Sequence, residues 1–464
     1  MMLLIFTHFH NRAPRSIDSK RPVGPVPLSH SLLPVRRRSH SDRGNAGAFA
    51  EEQNTMCHTL RQLTPSTVPH SDRQDDRKTS FLRSASNQIP FERISNKAVR
   101  IGGIQLARQI LRSDGFRQAG FMAELANRFA KRGRAPILFQ EGEAHRKQRS
   151  ATSRFFAPKV VATRYRQLMV EHSKRLINDL RSTGRAHLDA LGLELSVAVT
   201  AEIVGLSDRG RAGLANRLNS FSNREQQNTG RFATFIRMTL ALYRIMRFFL
   251  CDVMPAIRSR RIARREDIIS HLIDQGYSNR EILIECITYG PAGVATTREL
   301  IVVAAWHLFD RLDLRMQFLN GDEIDRIAIL EEVLRLEPVV GLLYRRAEQN
   351  LILDDDGRAE RISAGTLLAI DIRAVNANPA AAGFCPHRLD PNRRIEDRRF
   401  PRSLMSFGDG PHRCPGAAVA LLESAIFLDH LFRVPGIRLA QTPRMTTNPL
   451  VESYELRGAV VECT

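Results

Sequence analysis

A single cysteine in a glycine-rich segment near the C-terminus constrains the fold of this chain more than any other feature. The segment covers residues 407–416 and reads Phe-Gly-Asp-Gly-Pro-His-Arg-Cys-Pro-Gly. Gly408 and Gly410 permit backbone angles that a side chain would penalise, so the loop can run close to a flat ring. Apolar residues follow the cysteine at helical spacing, at Ala418, Leu421, Leu422, Ala425 and Leu428. The pattern predicts that residues 407–416 form a loop, the cysteine loop, which presents the cysteine just before a buried helix.

The position of Cys414 before that helix favours a metal-binding thiolate. Pro415 is a residue preferred at the first helical position, so the sulfur is predicted at a helix N-terminus. The partial positive charge there lowers the pKa of a thiol and stabilises the anion that binds metal. The alternative is an inert buried cysteine beside a glycine turn, which is the usual interpretation of a lone cysteine.

Six positions of the segment decide between these interpretations. They resemble the haem-ligand signature of the cytochrome P450 family at Phe407, Gly408, Gly410, His412, Cys414 and Gly416. The resemblance implies that haem b, iron protoporphyrin IX, is the cofactor and that Cys414 is the ligand of its iron. It covers about residue 95 to the end of the chain. The implied fold class is mainly α with a small β-rich part, the cytochrome P450 fold.

A charged pair upstream of the cysteine resembles the structural network of the same family. Glu332 and Arg335 are three residues apart on a predicted helix and lie on the same face. Such a pair is usually solvated, but its interval before the cysteine loop is the one that P450s use. The segment at residues 385–391 resembles the family's meander, and Arg388 there is implied to complete a Glu-Arg-Arg network. The three residues are assigned a structural role.

The resemblance also implies which residues bind the two haem propionates, since carboxylates need cations or donors. His145 and Arg149 match the family's His-x-x-x-Arg helix and would face one propionate; the alternative is a solvated basic face. Arg345, with Arg346 as the alternative, matches the strand whose arginine meets the other propionate. His412 matches a third propionate contact.

Residues 292–297 resemble the oxygen-binding helix of the family. They read Ala-Gly-Val-Ala-Thr-Thr and lie within an apolar stretch. Ala292 and Gly293 are predicted to leave room for a diatomic ligand, and the Thr296 hydroxyl to hold water beside it. The family's acid is replaced by Ala295, which cannot donate, accept or relay a proton. Glu299, one turn further on, is a candidate substitute; the alternative is a surface or salt-bridged residue partnered by Arg298.

Three functions remain open on the sequence. The first is a monooxygenase that hydroxylates an apolar small molecule of secondary metabolism with O2, fed by a separate ferredoxin or flavodoxin and its reductase. The second is altered chemistry, such as peroxide-driven oxidation, coupling or desaturation, because Ala295 replaces the acid. The third is a haem protein that binds ligand without turnover. By analogy with the family, residues 115–137 and 232–250 would line or cover the substrate pocket.

The first 85 residues differ from the rest of the chain. They are rich in Arg, Ser, His and Pro and lack periodicity, which predicts a disordered basic leader or a mistaken start, before a haem domain over residues 86–464. Short strand-like runs occur at residues 98–101, 350–353 and 366–370. The region before Val99 matches the family's first strand poorly, so the completeness of the N-terminal β part is open.

Charge and hydropathy bear on partners and location. The formal net charge of +20 is not concentrated on a recognised nucleic-acid module, so no nucleic-acid partner is expected. A basic surface on the cysteine side would attract an acidic ferredoxin or flavodoxin. The apolar start at residues 1–6 is too short to cross a bilayer. We therefore expect no transmembrane anchor and a cytoplasmic location, with a mitochondrial one as the alternative because the leader is rich in Arg and Ser.

Overall fold

The computed structural model describes residues 89–120, 134–206, 211–222, 231–355, 357–383, 385–395, 397, 399–448 and 453–464. The predicted leader at residues 1–85 lies outside the described residues, as does most of the predicted pocket segment at 115–137. Helices dominate and several small sheets accompany them, which confirms the predicted fold class.

The α-helices of the described ranges are α1 (Ile104–Arg112), α2 (Gly142–Ser153), α3 (Pro158–Val160), α4 (Arg166–Thr183), α5 (Leu188–Val204), α6 (Arg211–Ser222), α7 (Arg231–Phe248), α8 (Met254–Ile262), α9 (Ile268–Asp274), α10 (Asn279–Asp310), α11 (Leu312–Asn320), α12 (Glu323–Leu336), α13 (Ile372–Asn376), α14 (Pro379–Ala382) and α15 (Ala417–Phe432). The two central helices start at capping boxes, Ser278 with Glu281 for α10 and Asp322 with Asp325 for α12. In each box the two side chains satisfy backbone N–H groups that the first turn leaves unpaired.

The strands are β1 (Phe91–Ser95), β2 (Ala98–Ile101), β3 (Phe116–Ala119), β4 (Arg185–His187), β5 (Leu342–Ala347), β6 (Leu351–Asp355), β7 (Arg358–Ile362), β8 (Leu367–Asp371), β9 (Arg438–Gln441), β10 (Arg444–Asn448), β11 (Ser453–Arg457) and β12 (Val460–Glu462). The largest sheet has the order β1-β2-β8-β5-β3, and β2 and β8 are its parallel pair. The three predicted strands are confirmed: β2 has the predicted ends, and the ends of β6 and β8 are shifted by one or two residues. The open question about the N-terminal β part is answered by β1, which pairs antiparallel with β2.

Two hydrophobic clusters form the interior. The larger one joins α4, α5, α10, α12 and α15, and the smaller one lies between the five-stranded sheet and α1. Helix α10 packs along α5 at close range: a Cβ on Gly192 would lie 3.5 Å from Ile301 Cγ2. One stretch of the described residues, Gly410–Phe432, is long and apolar enough to cross a membrane by length and composition, and most of it is buried in the larger cluster. A core helix passes the same test.

Candidate functional site

The cysteine loop is fixed against the C-terminal end of α1. Asp409 accepts hydrogen bonds from Nε and Nη2 of Arg112, both at 2.9 Å, and Arg108 Nε lies 3.3 Å from Asp409 Oδ2. Gly410 has a φ of +68°, and a Cβ there would lie 2.3 Å from the carbonyl oxygen of Leu111. Only glycine fits this contact, because both the left-handed backbone and the lack of space exclude a side chain. The sequence analysis did not single out Asp409, although it stands inside the motif.

Backbone donors hold Cys414 in place. Its N–H donates to the Phe407 carbonyl oxygen at 2.8 Å, and the Gly416 N–H acts to lower the pKa of the thiol. Helix α15 begins at Ala417 with Gly416 as its N-cap, two residues after the start predicted at Pro415. The sulfur therefore precedes the helix by more than expected. The side chain of Phe407 packs against the larger core cluster.

The thiol of Cys414 is accessible yet surrounded by protein. Its residue surface is exposed, while burial raises the pKa of the thiol in spite of the opposing Gly416 N–H and the nearby charges of Arg149 and Arg413. The two observations agree if the sulfur faces an open cavity. The expected lowering of the pKa is wrong for the free thiol, since desolvation outweighs the donors. A metal ion bound to the sulfur would remove the proton by itself.

Three of the residues assigned to propionates meet beside this loop. His145 is buried on α2, and its ring stacks on that of His412 with a centroid distance of 4.0 Å and an angle of 28°. Arg149 Nη2 donates to the Arg413 carbonyl oxygen at 2.6 Å. Burial, followed by the charge of His412, lowers the pKa of His145 to about 4, so this ring is neutral at neutral pH. One helix face and the cysteine loop thus form a single donor-rich surface.

Arg345 on β5 extends this surface, and its surroundings fit a bound carboxylate. The guanidinium is 4% exposed and donates to the Gln118 side chain and, at 2.9 Å, to the Tyr344 carbonyl oxygen. No carboxylate in the described part of the chain forms an ion pair with it, and burial lowers its pKa to about 10. A buried charge with neutral partners is costly, and a haem propionate would neutralise it. Arg346 instead donates to the Gly365 carbonyl oxygen at 2.8 Å, so the geometry favours Arg345.

The same surface contains an acid that the sequence analysis missed. Glu141 is the N-cap residue of α2 but makes no side-chain cap. Its Oε1 accepts from the Gln118 N–H at 2.6 Å, and its Oε2 lies 3.1 Å from His412 Nε2. Burial alone would raise the pKa of Glu141, but these hydrogen bonds and the charges of His412 and Arg345 lower it. Its place four residues before His145 was the available signal.

The middle of α10 carries one exposed position among buried ones. Ala292 is exposed although Gly290 and Val294 beside it are buried, and Thr296 Oγ1 donates to the Ala292 carbonyl oxygen at 2.7 Å. Gly293 faces the other way, since a Cβ there would lie 2.9 Å from Thr200 Oγ1 on α5. The prediction that Gly293 leaves room for a ligand is therefore corrected: its small size serves helix packing, and the open side belongs to Ala292.

Glu299 is not free to act beside Thr296. Its Oε2 accepts from the Leu456 N–H at 2.8 Å, and its Oε1 accepts from Arg457 Nη1 at 2.5 Å and from Arg298 Nε at 3.2 Å. The salt-bridged alternative is thus confirmed, although the carboxylate is buried against β11 and not at the surface. Burial raises the pKa of Glu299 in spite of these partners.

The structural network forms around Glu332 with one member different from the prediction. Arg335 donates to both Glu332 oxygens, at 2.7 and 2.9 Å, and Arg393 Nε donates to Glu332 Oε1 at 3.0 Å. The prediction that Arg388 completes the network is wrong: its side chain is exposed, and only its carbonyl oxygen takes part, accepting from Arg335 and Arg393. The turn after residue 388 brings Arg393 back to Glu332.

Comparison with known proteins agrees with this geometry. The family described as Cytochrome P450 matches residues 327–439, which include the Glu332 network and the cysteine loop. The matched region belongs to the cytochrome P450 family. The chain is 30% identical over 195 residues to the protein named cytochrome P450 137 of Mycobacterium tuberculosis, a match that covers 39% of this chain and 40% of that one. The match thus spans less than half of that relative.

Longer matches join this P450 to bacterial enzymes at lower identity. The mycinamicin IV hydroxylase/epoxidase of Micromonospora griseorubida is 27% identical over 307 residues, covering 64% of this chain and 71% of that protein. The structure of P450BioI with an acyl carrier protein that carries hexadec-9Z-enoic acid has a TM-score of 0.68 and 22% identity, with 83% of this chain and 98% of that chain covered. At this identity the structural likeness shows the fold.

Proposed function

We propose that this P450 is a haem-thiolate monooxygenase that hydroxylates an apolar small molecule with O2 and electrons from a separate ferredoxin or flavodoxin and its reductase. The observation that carries the proposal is the placement of Cys414, an exposed residue whose N–H donates to the Phe407 carbonyl oxygen within a loop clamped to α1. Haem bound at this sulfur would supply the activation of O2.

The residues around the sulfur have separate tasks in this proposal. Cys414 would hold the iron of haem b, and four donors would hold its propionates: His145, Arg149, Arg345 and His412. Phe407, Gly408 and Gly416 shape the loop that carries the sulfur. Ala292 would leave room for a ligand of the haem, and the Thr296 hydroxyl, which donates to the Ala292 carbonyl oxygen, keeps its lone pairs for a water.

Partner and location follow from charge and from relatives. Exposed cations lie on α2 (Arg146 and Lys147), in the cysteine loop (Arg413) and shortly before that loop (Arg402). They form a basic surface for an acidic electron carrier, whose binding would weaken as salt rises. The substrate class, an apolar product of secondary metabolism, rests on relatives named for such chemistry. A cytoplasmic location and a haem domain over residues 86–464 belong to the same proposal.

A second candidate function is favoured by the side chains of α10. Ala295 carries no acid, and the Glu299 carboxylate is bound to Arg457 and the Leu456 N–H. Proton delivery to the distal side of haem then depends on water held by Thr296. A peroxide carries both oxygens and protons with it, so peroxide-driven oxidation needs this delivery less.

Paired assays of the purified, haem-loaded protein separate the two candidates. One assay supplies a surrogate ferredoxin, its reductase, NADPH and O2, and the other supplies hydrogen peroxide alone, with substrates chosen by the spectral change that they induce. Product from the first assay supports the monooxygenase. Product in the peroxide assay, with none in the first assay, supports the second candidate and contradicts the first. Restoring the acid in Ala295→Asp should raise the O2-dependent rate and leave the peroxide-dependent rate nearly unchanged.

A further inference from the structure

The donor-rich surface of His145, Arg345 and His412 already contains a carboxylate from the chain itself. Glu141 binds two donors there, the Gln118 N–H at 2.6 Å and His412 Nε2 at 3.1 Å. The second contact joins residues that are 271 positions apart in sequence. The contact is therefore made by the tertiary fold and cannot come from a local turn of the backbone.

The carboxylate of Glu141 has the chemistry of a propionate and contacts one of the donors assigned to the propionates, His412. Both groups are acceptors with four lone-pair sites, and both are stabilised by imidazole and guanidinium donors. Arg345 is close enough for its charge to lower the pKa of Glu141, yet it makes no ion pair with any carboxylate of the described ranges. Gln118 links the two residues, since its N–H donates to Glu141 and its side-chain oxygen accepts from Arg345.

A glutamate at the first position before a helix would normally cap that helix, but Glu141 does not. No side-chain cap is made at the start of α2, and Glu143 is the acid that lies in its first turn. The Glu141 side chain instead reaches across to the loop that carries Cys414. This orientation is explained by the attraction of the donor cluster and not by helix capping.

We propose that Glu141 is an internal competitor for one haem propionate: its carboxylate is bound to His412, a donor that the propionate needs, and has to give up this contact when haem binds. The inference rests on the proposed haem site and deepens it. Two carboxylates cannot share one imidazole donor without like-charge repulsion. The chain thus binds haem more weakly than its own cluster of donors would allow, and Glu141 keeps the cluster satisfied in the haem-free protein.

Metal-free porphyrins test this competition without any catalytic readout. The full chain, stripped of haem, is titrated with protoporphyrin IX and with its dimethyl ester, and binding is followed by absorbance. The variant Glu141→Gln removes the charge and should bind protoporphyrin IX about tenfold more tightly, the effect of roughly one pKa unit of repulsion. Its affinity for the ester, which has no propionate charge, should equal that of the wild-type protein. Glu143→Gln, an exposed change on the same helix, should alter neither affinity.

The outcomes separate the inference from the proposed haem site. If Glu141→Gln binds protoporphyrin IX as weakly as the wild type does, or more weakly, Glu141 does not compete with the propionate. Equal tightening for both porphyrins would also overturn the inference, because it would show a general loosening of the pocket. If the wild-type chain binds neither these porphyrins nor haem itself, the haem site is wrong and the inference falls with it. Glu141→Ala, which removes the charge too, replaces the glutamine variant if that one does not fold.

Discussion

Replacing Arg393 with alanine should destabilise the protein far more than replacing Arg388. Arg393 is 9% exposed and donates to Glu332 at 3.0 Å, to the Ala382 carbonyl oxygen at 2.6 Å, and to the carbonyl oxygens of Cys385 at 3.1 Å and Arg388 at 2.6 Å. Removing it leaves a buried carboxylate with one of its two cations and takes this donor from three carbonyls, one in a buried contact and two in partly buried ones. Losses of this kind cost about 3–5 kcal/mol.

Arg388 offers a matched control because the two arginines stand on the same loop. Its side chain is exposed, and the carbonyl oxygen that joins the network is kept in an alanine variant. Its loss should therefore change the free energy of unfolding by no more than about 0.5 kcal/mol.

Urea unfolding of the haem-loaded proteins, followed by circular dichroism and by the haem absorbance, measures the difference between the two variants. The midpoint for Arg393→Ala should fall well below those of the wild type and Arg388→Ala. Equal midpoints for the two variants would refute the assignment of Arg393 to the network.

Three further predictions concern the cysteine loop and the helix α15 that follows it. Asp409→Asn should weaken the ion pair between Asp409 and Arg112, whose side chain is half exposed, by about 1 kcal/mol. The share of thiol-ligated haem in the reduced, carbon monoxide-bound spectrum should then rise. An unchanged share would contradict a role of this ion pair in holding the loop. Gly410→Ala should abolish haem retention because its Cβ would meet the Leu111 carbonyl oxygen at 2.3 Å. Gly357→Ala is the control, because a Cβ there meets nothing within 4 Å, and this variant should retain haem. Loss of haem from both variants, or from neither, would disprove the steric argument. Burial raises the pKa of Glu423 from its ordinary value of 4.5 to about 8, so the folded state holds the proton more tightly and stability should fall as pH rises from about 4.5 to about 8. Glu423→Gln should flatten this fall in urea midpoints, and a slope equal to that of the wild type would show that another group causes it.

Local patterns in the sequence predicted the parts of the site that depend on neighbours along the chain. The cysteine loop, the apolar helix after it and the Glu332–Arg335 pair each lie within a few turns of sequence, and the structure places them as expected. Helical spacing is also why four of the five apolar positions named after Cys414 are buried in α15, with Ala418 partly buried.

Contacts that depend on the path of a loop or on the packing of two helices were beyond the sequence. Arg393 replaces Arg388 because the turn after the meander reverses the chain, and no periodicity records that turn. The neighbour of Gly293 is Thr200 of another helix, and the partner of Glu141 is His412, at the far end of the chain. Alternation along β5 separates Arg345 from Arg346, but only the sheet shows which face is buried.

The most direct test of the central claim is the spectrum of the reduced, carbon monoxide-bound protein with and without Cys414. The wild type should give the band of thiolate-ligated haem, Cys414→Ser should lose it, and Cys251→Ser, which changes an exposed free cysteine, should keep it. A thiolate-type band that persists in Cys414→Ser would contradict the assignment of this sulfur to the iron.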